Sequence, residues 1–271
     1  MSGKEARVSE LQKAAWAHYK AAGRHALPWR QTHDPYKVLV SEVMLQQTQV
    51  ERVIAFYEAW MKEFPSAKTL AKAPLSKVLR AWQGLGYNRR AKNLHAAAKA
   101  IAKDGFPKTV EGIEALPGVG PYTARAVAAF AFNEDVVFVE TNIRTVVMHH
   151  AFSRKKEVAD REILTVLEAA LPKGKAREWY SALMDYGAHL KRSGLRLNAK
   201  AKGYKKQSTF KGSKREARGA ILKALVKGPR DAAFLVDLLG PSRRAQMREL
   251  LASLTQEGMI ELTRGKFRLP A

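Results

Sequence analysis

Two carboxylates stand apart from the other acids of this chain by their surroundings. Glu42 lies in Val38-Leu-Val-Ser-Glu-Val-Met-Leu45, where most neighbours are apolar. Facing inward there, its ionised form loses hydration, its pKa rises, and it becomes an acid able to give up a proton near neutrality. Glu140 follows the apolar run Val136-Val-Phe-Val139 and precedes a helical pattern, which places it near a helix start in a partly buried setting. On local pattern alone, each also fits a surface or helix-capping role. The histidines, the His149-His150 pair included, lack metal-like spacing with acids and read as structural or surface groups; no metal site is expected.

Two glycine turns could meet an anion. In Leu116-Pro-Gly-Val-Gly-Pro-Tyr-Thr-Ala124, Gly118 and Gly120 form a tight turn before an alanine-rich helix. Glycine permits close backbone approach, and the N–H groups opening the next helix favour a phosphate, as in a helix-hairpin-helix gripping a DNA backbone. An ordinary helix–helix turn has the same pattern. Gly84-Leu-Gly-Tyr-Asn-Arg-Arg-Ala-Lys-Asn93 is a second glycine turn, followed by Arg89, Arg90 and Lys92, which fit a further backbone contact or a solvated helix face.

The whole-chain charge favours the anionic partner. Among 271 residues, 48 Lys and Arg against 25 Asp and Glu give +23, a field that holds polyanions. With zero Cys the chain can form no disulfide, thiolate zinc site, cysteine-bound cluster or cysteine nucleophile, so its chemistry falls to oxygen and nitrogen groups. No stretch reaches the ~20 apolar residues of a membrane span, and residues 1–16 are charged and lack a signal-peptide core. The expected setting is soluble, cytoplasmic and nucleoid-associated, without membrane contact.

The elements that must position these residues are mainly helical. From Val8 to about Leu190 apolar residues recur at helical spacing, as in Val50, Val53, Ile54, Tyr57, Trp60 and Met61, with Gly and Pro marking short turns. Residues 136–139 are the one extended-looking piece. From Lys191 to Arg218 there are eleven Lys and Arg and one acid, Glu216. That stretch reads as a solvated linker, a DNA-contacting one, or both. Beyond it, helices around 221–226, 231–239 and 242–257 precede a candidate hairpin at 259–269, which suggests a small winged-helix module or a structural cap. The expected domains are 1–190, a basic linker over 191–215, and a C-terminal module over 216–271.

Several of these motifs carry a resemblance. Leu27-Pro-Trp-Arg30, Asp34-Pro-Tyr-Lys-Val38, Ser41-Glu-Val-Met-Leu-Gln-Gln-Thr-Gln-Val50, Gly84-Leu-Gly-Tyr87, Arg90-Ala-Lys-Asn-Leu-His95, Leu116-Pro-Gly-Val-Gly120 and Met184-Asp-Tyr-Gly-Ala188 occur in order over residues 8–192. Together they resemble the helix-hairpin-helix DNA glycosylases, specifically the MutY-type adenine glycosylases. The resemblance implies a two-lobed helical glycosylase domain whose cleft takes a base flipped from the duplex. It matches Glu42 to the acid that protonates the leaving adenine and Gln46, Gln47 and Thr48 to residues that enter the DNA around the lesion. It puts Tyr87 at the intercalating wedge, with Asn88 where a second tyrosine often stands; from the glycine turns and the basic stretch themselves, DNA contacts are expected of Arg89, Arg90, Gly118, Gly120, Lys191 and Arg192. Tyr122 occupies the position of the lysine nucleophile of endonuclease III-type relatives, which implies a monofunctional enzyme.

Breaking a purine N-glycosidic bond puts negative charge on the base and oxocarbenium character on the sugar. Glu42 would supply the proton, and Glu140 would stabilise the sugar cation, either electrostatically or through a transient covalent adduct, and help position water. Three departures from the family pattern accompany these expectations. Glu140 stands where the superfamily normally has Asp, with Asp135 as a fallback that does not align. The four cysteines that hold an iron–sulfur cluster in many relatives are absent after Ala188, so no cofactor is expected. A shorter C-terminal module stands in place of a Nudix-like domain. The expectation is a monomeric base-excision-repair glycosylase that removes adenine opposite 8-oxoguanine or guanine from double-stranded DNA. The competitors are a glycosylase for uracil, thymine or a deaminated purine, and a non-catalytic binder of damaged DNA.

Overall fold

The computed structural model describes residues 3–202, 209–240 and 244–271. The chain divides into two compact units, one built from Met1–Glu42, Pro107–Ala115 and Val119–Lys206, the other from Val43–Phe106, Leu116–Gly118 and Gln207–Ala271. The first holds α1 (Gly3–Ala22), most of α2 (Pro35–Leu45), α7 (Val110–Glu114), α8 (Pro121–Phe132), α9 (Thr141–Ala151), α10 (Asp160–Ala170) and α11 (Ala176–Arg192). The second holds α3 (Val50–Glu63), α4 (Ala67–Lys72), α5 (Leu75–Ala81), α6 (Arg89–Asp104), α12 (Lys214–Val226), α13 (Ala232–Leu239), α14 (Arg244–Gln256) and a hairpin of β1 (Glu261–Thr263) with β2 (Lys266–Arg268).

In the first unit α1, α9 and α11 pack on one another around Leu11, Ala15, Ile143, Val147, Trp179, Tyr180 and Leu183, all fully buried. The α9–α11 approach depends on Gly187, since a Cβ there would lie 2.1 Å from the carbonyl oxygen of Asn142. Residues 136–139, the extended-looking piece, belong to no paired strand. Their side chains serve packing: Phe138 stacks on Tyr180 with ring centroids 4.0 Å apart, flanked by the half-buried β-branched Val136, Val137 and Val139.

In the second unit the apolar stripe of α3 faces inward as its spacing predicts, with Val53, Tyr57 and Trp60 buried. Trp60 meets Trp82 edge-on at 5.4 Å and Phe64 at 4.8 Å. α12 and α13 begin on side-chain caps: Ser213 Oγ accepts the Glu216 N–H and Asp231 Oδ1 accepts the Phe234 N–H. α12 thus starts at Lys214, two residues before the expected boundary of the module. Residues 242 and 243, expected to open the third helix, lie outside the described residues, and α14 runs from Arg244. The hairpin pairs Leu262 with Phe267, and Arg230 adds a bridge to Phe267 just before α13.

The expected linker is only partly a spacer. Lys191 and Arg192 complete α11. Leu195, Leu197 and Ala201 pack on the first unit's core, Val158 and Ala201 form a β-bridge, and Asn198 Nδ2 donates to Thr145 Oγ1 at 3.2 Å. Residues 203–208 fall outside the described residues. No helix among the described residues is long and apolar enough to cross a membrane.

Candidate active site

Within the first unit the structure brings Glu42 and Tyr122 into contact and sets Glu140 at the head of α9. Glu42 sits in α2 between buried Leu39, Val40, Val43 and Met44, and is itself 5% exposed. Burial pushes its carboxyl up to about 7; the Tyr122 hydrogen bond opposes that shift, the charge of Glu140 adds to it, and Arg30 opposes it. The Tyr122 hydroxyl donates to Glu42 Oε2 at 3.0 Å. Burial, then the two nearby carboxylates, hold the Tyr122 phenol well above 10, so it stays a neutral donor. Its ring lies edge-on to Phe138 at 5.7 Å, which fixes the direction of the hydroxyl.

Glu140 is the N-cap of α9, as its position before a helical pattern suggested. Its Oε2 accepts the Asn142 N–H at 2.7 Å, and its Oε1 accepts from the Thr141 hydroxyl at 2.5 Å and from Asn142 Nδ2 at 3.3 Å. Three donors around two oxygens make a setting for an anion, and the helix N-terminus adds a favourable field. Asp is among the favoured N-caps, so the longer Glu folds back to reach the same N–H group. Asp135 does not substitute for it: both its oxygens accept from the Gly174 N–H, at 3.1 and 2.8 Å.

Two further residues shape this setting, and of them Asp185 had no role assigned from the sequence. Asp185, 2% exposed, accepts from Arg30 at 2.7 and 3.0 Å and from Arg24 Nε and N at 2.6 and 2.8 Å. Burial opposes its charge, yet Arg30 and then Arg24 outweigh burial and hold its carboxyl below the usual range. Arg30 and Asp185 each occur within a quoted motif, but nothing local in either stretch links residues 155 apart in the chain. Lys191, expected as a DNA contact, donates to Asn142 Oδ1 at 2.9 Å and so supports the residue that caps onto Glu140. Arg192 is exposed. The segment after α11 does not fit a thiolate-held cluster, since the chain has no cysteine; apolar and amide contacts hold it down. Among the described residues no group of three His, Asp or Glu could hold a metal ion.

The expected DNA-contacting turns lie mainly in the second unit. Gly118 adopts φ +76°, and a Cβ there would come within 2.4 Å of the Asn93 side chain, so glycine is required. Gly120, in the first unit, caps α8 with extended backbone and open space at its Cβ position, room for a ligand to approach the helix N-terminus. Tyr87 is 37% exposed at φ +46°, and Arg89 is exposed.

Arg90 departs from its expected role. Its Nη1 donates to the carbonyls of Val43, Met44 and Gln46 at 2.7, 3.1 and 2.7 Å, and its Nη2 to those of Leu85 and Gly86 at 3.1 and 3.2 Å and to Thr48 Oγ1 at 3.4 Å. The guanidinium also faces the Trp82 and Tyr87 rings at 5.3 and 5.6 Å. A fork so occupied binds protein rather than phosphate. It ties the end of α2 and the Gln46-Gln47-Thr48 turn, where Gln47 stands at φ +53°, to the glycine turn of residues 84–87.

Comparison with known proteins identifies the family. The model described as HhH-GPD superfamily base excision DNA repair protein matches residues 40–172. An adenine DNA glycosylase of Mycolicibacterium smegmatis (strain ATCC 700084 / mc(2)155) is 35% identical over 288 residues, covering 97% of this chain and 96% of that protein. One of Mycobacterium tuberculosis (strain ATCC 25618 / H37Rv) is 35% identical over 294 residues, covering 97% and 94%. Among solved structures, a thermostable thymine-DNA glycosylase superposes with a TM-score of 0.60 at 26% identity, over 67% of this chain and 86% of that one. With relatives matched nearly end to end and the superfamily model spanning both carboxylates, the chain belongs to the adenine DNA glycosylase family of the HhH-GPD base excision DNA repair superfamily.

Proposed function

We propose that this protein is a monofunctional glycosylase that hydrolyses the N-glycosidic bond of an adenine mispaired with 8-oxoguanine or guanine in duplex DNA. The observation that carries the proposal is Glu42: a buried carboxyl with a pKa of about 7, held by a neutral tyrosine, is a proton donor at physiological pH. A purine leaves more easily once its N7 is protonated, and Glu42 supplies that proton. The sugar then carries positive charge, which Glu140 stabilises from the head of α9 while helping to position water. Tyr122 orients Glu42, and a phenol there has no amine with which to form a Schiff base with the sugar, so the product is an abasic site with the strand intact. Gln46, Gln47, Thr48, Tyr87 and Arg89, with the Gly118–Gly120 turn, engage the duplex, and Arg90 and Lys191 position neighbouring groups.

Single-turnover excision tests the proposal on duplexes carrying adenine opposite 8-oxoguanine, adenine opposite guanine, uracil opposite guanine and thymine opposite guanine, with abasic sites revealed by alkali. Excision confined to adenine and lost in Glu42→Gln and Glu140→Gln is the expected result. Excision of uracil or thymine would reassign the base pocket, and intact binding without any excision would make the protein a damage binder.

A further inference from the structure

The C-terminal module carries a row of cations along the first turns of α12, and they are not used alike. Lys214 pairs with Glu249 at 2.6 Å and Arg218 with Glu257 at 2.6 Å, both within the module. Arg215 instead reaches out of it: Nη1 donates to the Tyr87 hydroxyl at 2.6 Å, and the guanidinium lies 5.7 Å from the centre of that ring. Tyr87 is a large side chain at φ +46°, a backbone region that costs a non-glycine residue free energy and persists where surrounding contacts enforce it. Those contacts are present at both ends. Its carbonyl accepts from the Arg90 N–H at 2.9 Å, and the preceding Gly86 carbonyl accepts from Trp82 Nε1 at 3.0 Å. Arg215 holds the phenol tip. Further joints tie other parts of the module to α6 and α5: Lys92 Nζ donates to the Glu257 carbonyl just after α14, and the Ser76 N–H donates to the Pro270 carbonyl after β2 at 3.1 Å.

We propose that Arg215 is a positioning residue for Tyr87, so that the C-terminal module sets the orientation in which this ring enters the DNA base stack. The inference rests on the reading above that the protein opens duplex DNA. An exposed ring presented with its phenol fixed inserts with less orientational loss than a free one, and flat aromatic and guanidinium groups both stack on bases.

The test uses the full chain and a duplex with an uncleavable tetrahydrofuran abasic analogue opposite guanine and 2-aminopurine beside that guanine, whose fluorescence rises as the stack opens. Wild type should give the rise. Arg215→Ala and Tyr87→Phe should each remove most of it at saturating protein and weaken binding about tenfold, the scale of one charge-assisted hydrogen bond discounted for exposure. The double variant should be no worse than either single one, because both break the same bond. Arg215→Lys, which retains a donor, should restore part of the signal, and Lys223→Ala, which removes a charge from the same helix, should leave it unchanged. No rise with wild type, additive losses in the double variant, or an unchanged signal in Arg215→Ala would each overturn the proposal; should Arg215→Ala not fold by thermal unfolding, Tyr87→Phe and Arg215→Lys decide it. Adenine excision measured in parallel separates the two ideas: fluorescence as expected without excision would sink the proposed reaction and leave this role of Arg215 standing.

Discussion

Replacing the proton donor should make the protein more stable, by an amount that depends on pH. Glu42 has its pKa raised from an ordinary 4.5 to about 7, so above pH 7 the folded state carries a carboxylate that the unfolded state ionises more easily. The difference of about 2.5 in pKa, at about 1.36 kcal/mol each, costs the fold roughly 3 kcal/mol at pH 8. Between pH 4.5 and 7 the folded state binds more protons than the unfolded one, so this cost shrinks as pH falls and drops below about 1 kcal/mol near pH 5. Glu42→Gln removes the charge and keeps an oxygen for the Tyr122 hydroxyl, but leaves an amide N–H group to satisfy, at about 1 kcal/mol. The expected net gain at pH 8 is about 2 kcal/mol, roughly 4–8 °C in Tm, vanishing at pH 5, with excision abolished. Urea and thermal unfolding of both proteins at the two pH values measure it. An equal change at both pH values, or a loss of stability at pH 8, would refute the account of Glu42 as a carboxyl kept neutral by burial.

Three more outcomes follow from the geometry. For wild type, the single-turnover rate should fall tenfold per pH unit above about 7 as Glu42 loses its proton; a flat profile to pH 9 would count against it as the acid. Gly187→Ala forces a Cβ against the Asn142 carbonyl, so it should cost about 3 kcal/mol in chemical denaturation and, by displacing the Glu140 cap, slow excision about 100-fold at saturating DNA. Asp185→Asn leaves Arg24 and Arg30 without their buried partner and should cost roughly 3–5 kcal/mol at pH 7. Because the Asp185 pKa is depressed, that difference should be complete at neutral pH and close as pH falls below about 4, which acid unfolding curves would show.

What was legible in the sequence was what local pattern records. The apolar neighbours of Glu42 were compatible with its burial but equally left a surface role open, whereas the position of Glu140 before a helical run did point to a helix start. The partner of Glu42 was not legible from that pattern, because Tyr122 comes from a helix 80 residues away. For Arg90 the residue type was visible but not its direction: a cation after a glycine turn reads as a phosphate ligand until the carbonyls beneath it are seen. Charge density hid the fold of residues 193–202, although Leu195 and Leu197 carried the signal that this stretch has a core to reach. At residues 136–139 the β-branched bias marked a half-buried stretch without saying whether it pairs, since such side chains suit extended backbone either way.

The interleaving of the two units has a consequence for synthesis. The first unit begins with α1, but Gln12 of that helix bonds the Ala170 carbonyl 158 residues later, and Trp16 rests on Trp179 at 5.5 Å. On a ribosome adding ~5–20 residues per second, the apolar face of α1 waits for roughly ten seconds or more before those partners emerge. Residues 43–106 form a continuous stretch of the second unit and are made within that interval, so they can begin to pack while the amino-terminal helix is still unmatched. A nascent chain with Leu11, Ala15 and Trp16 uncovered is a natural client for a holding chaperone, and slowing translation before residue 192 should lengthen its exposure to proteases.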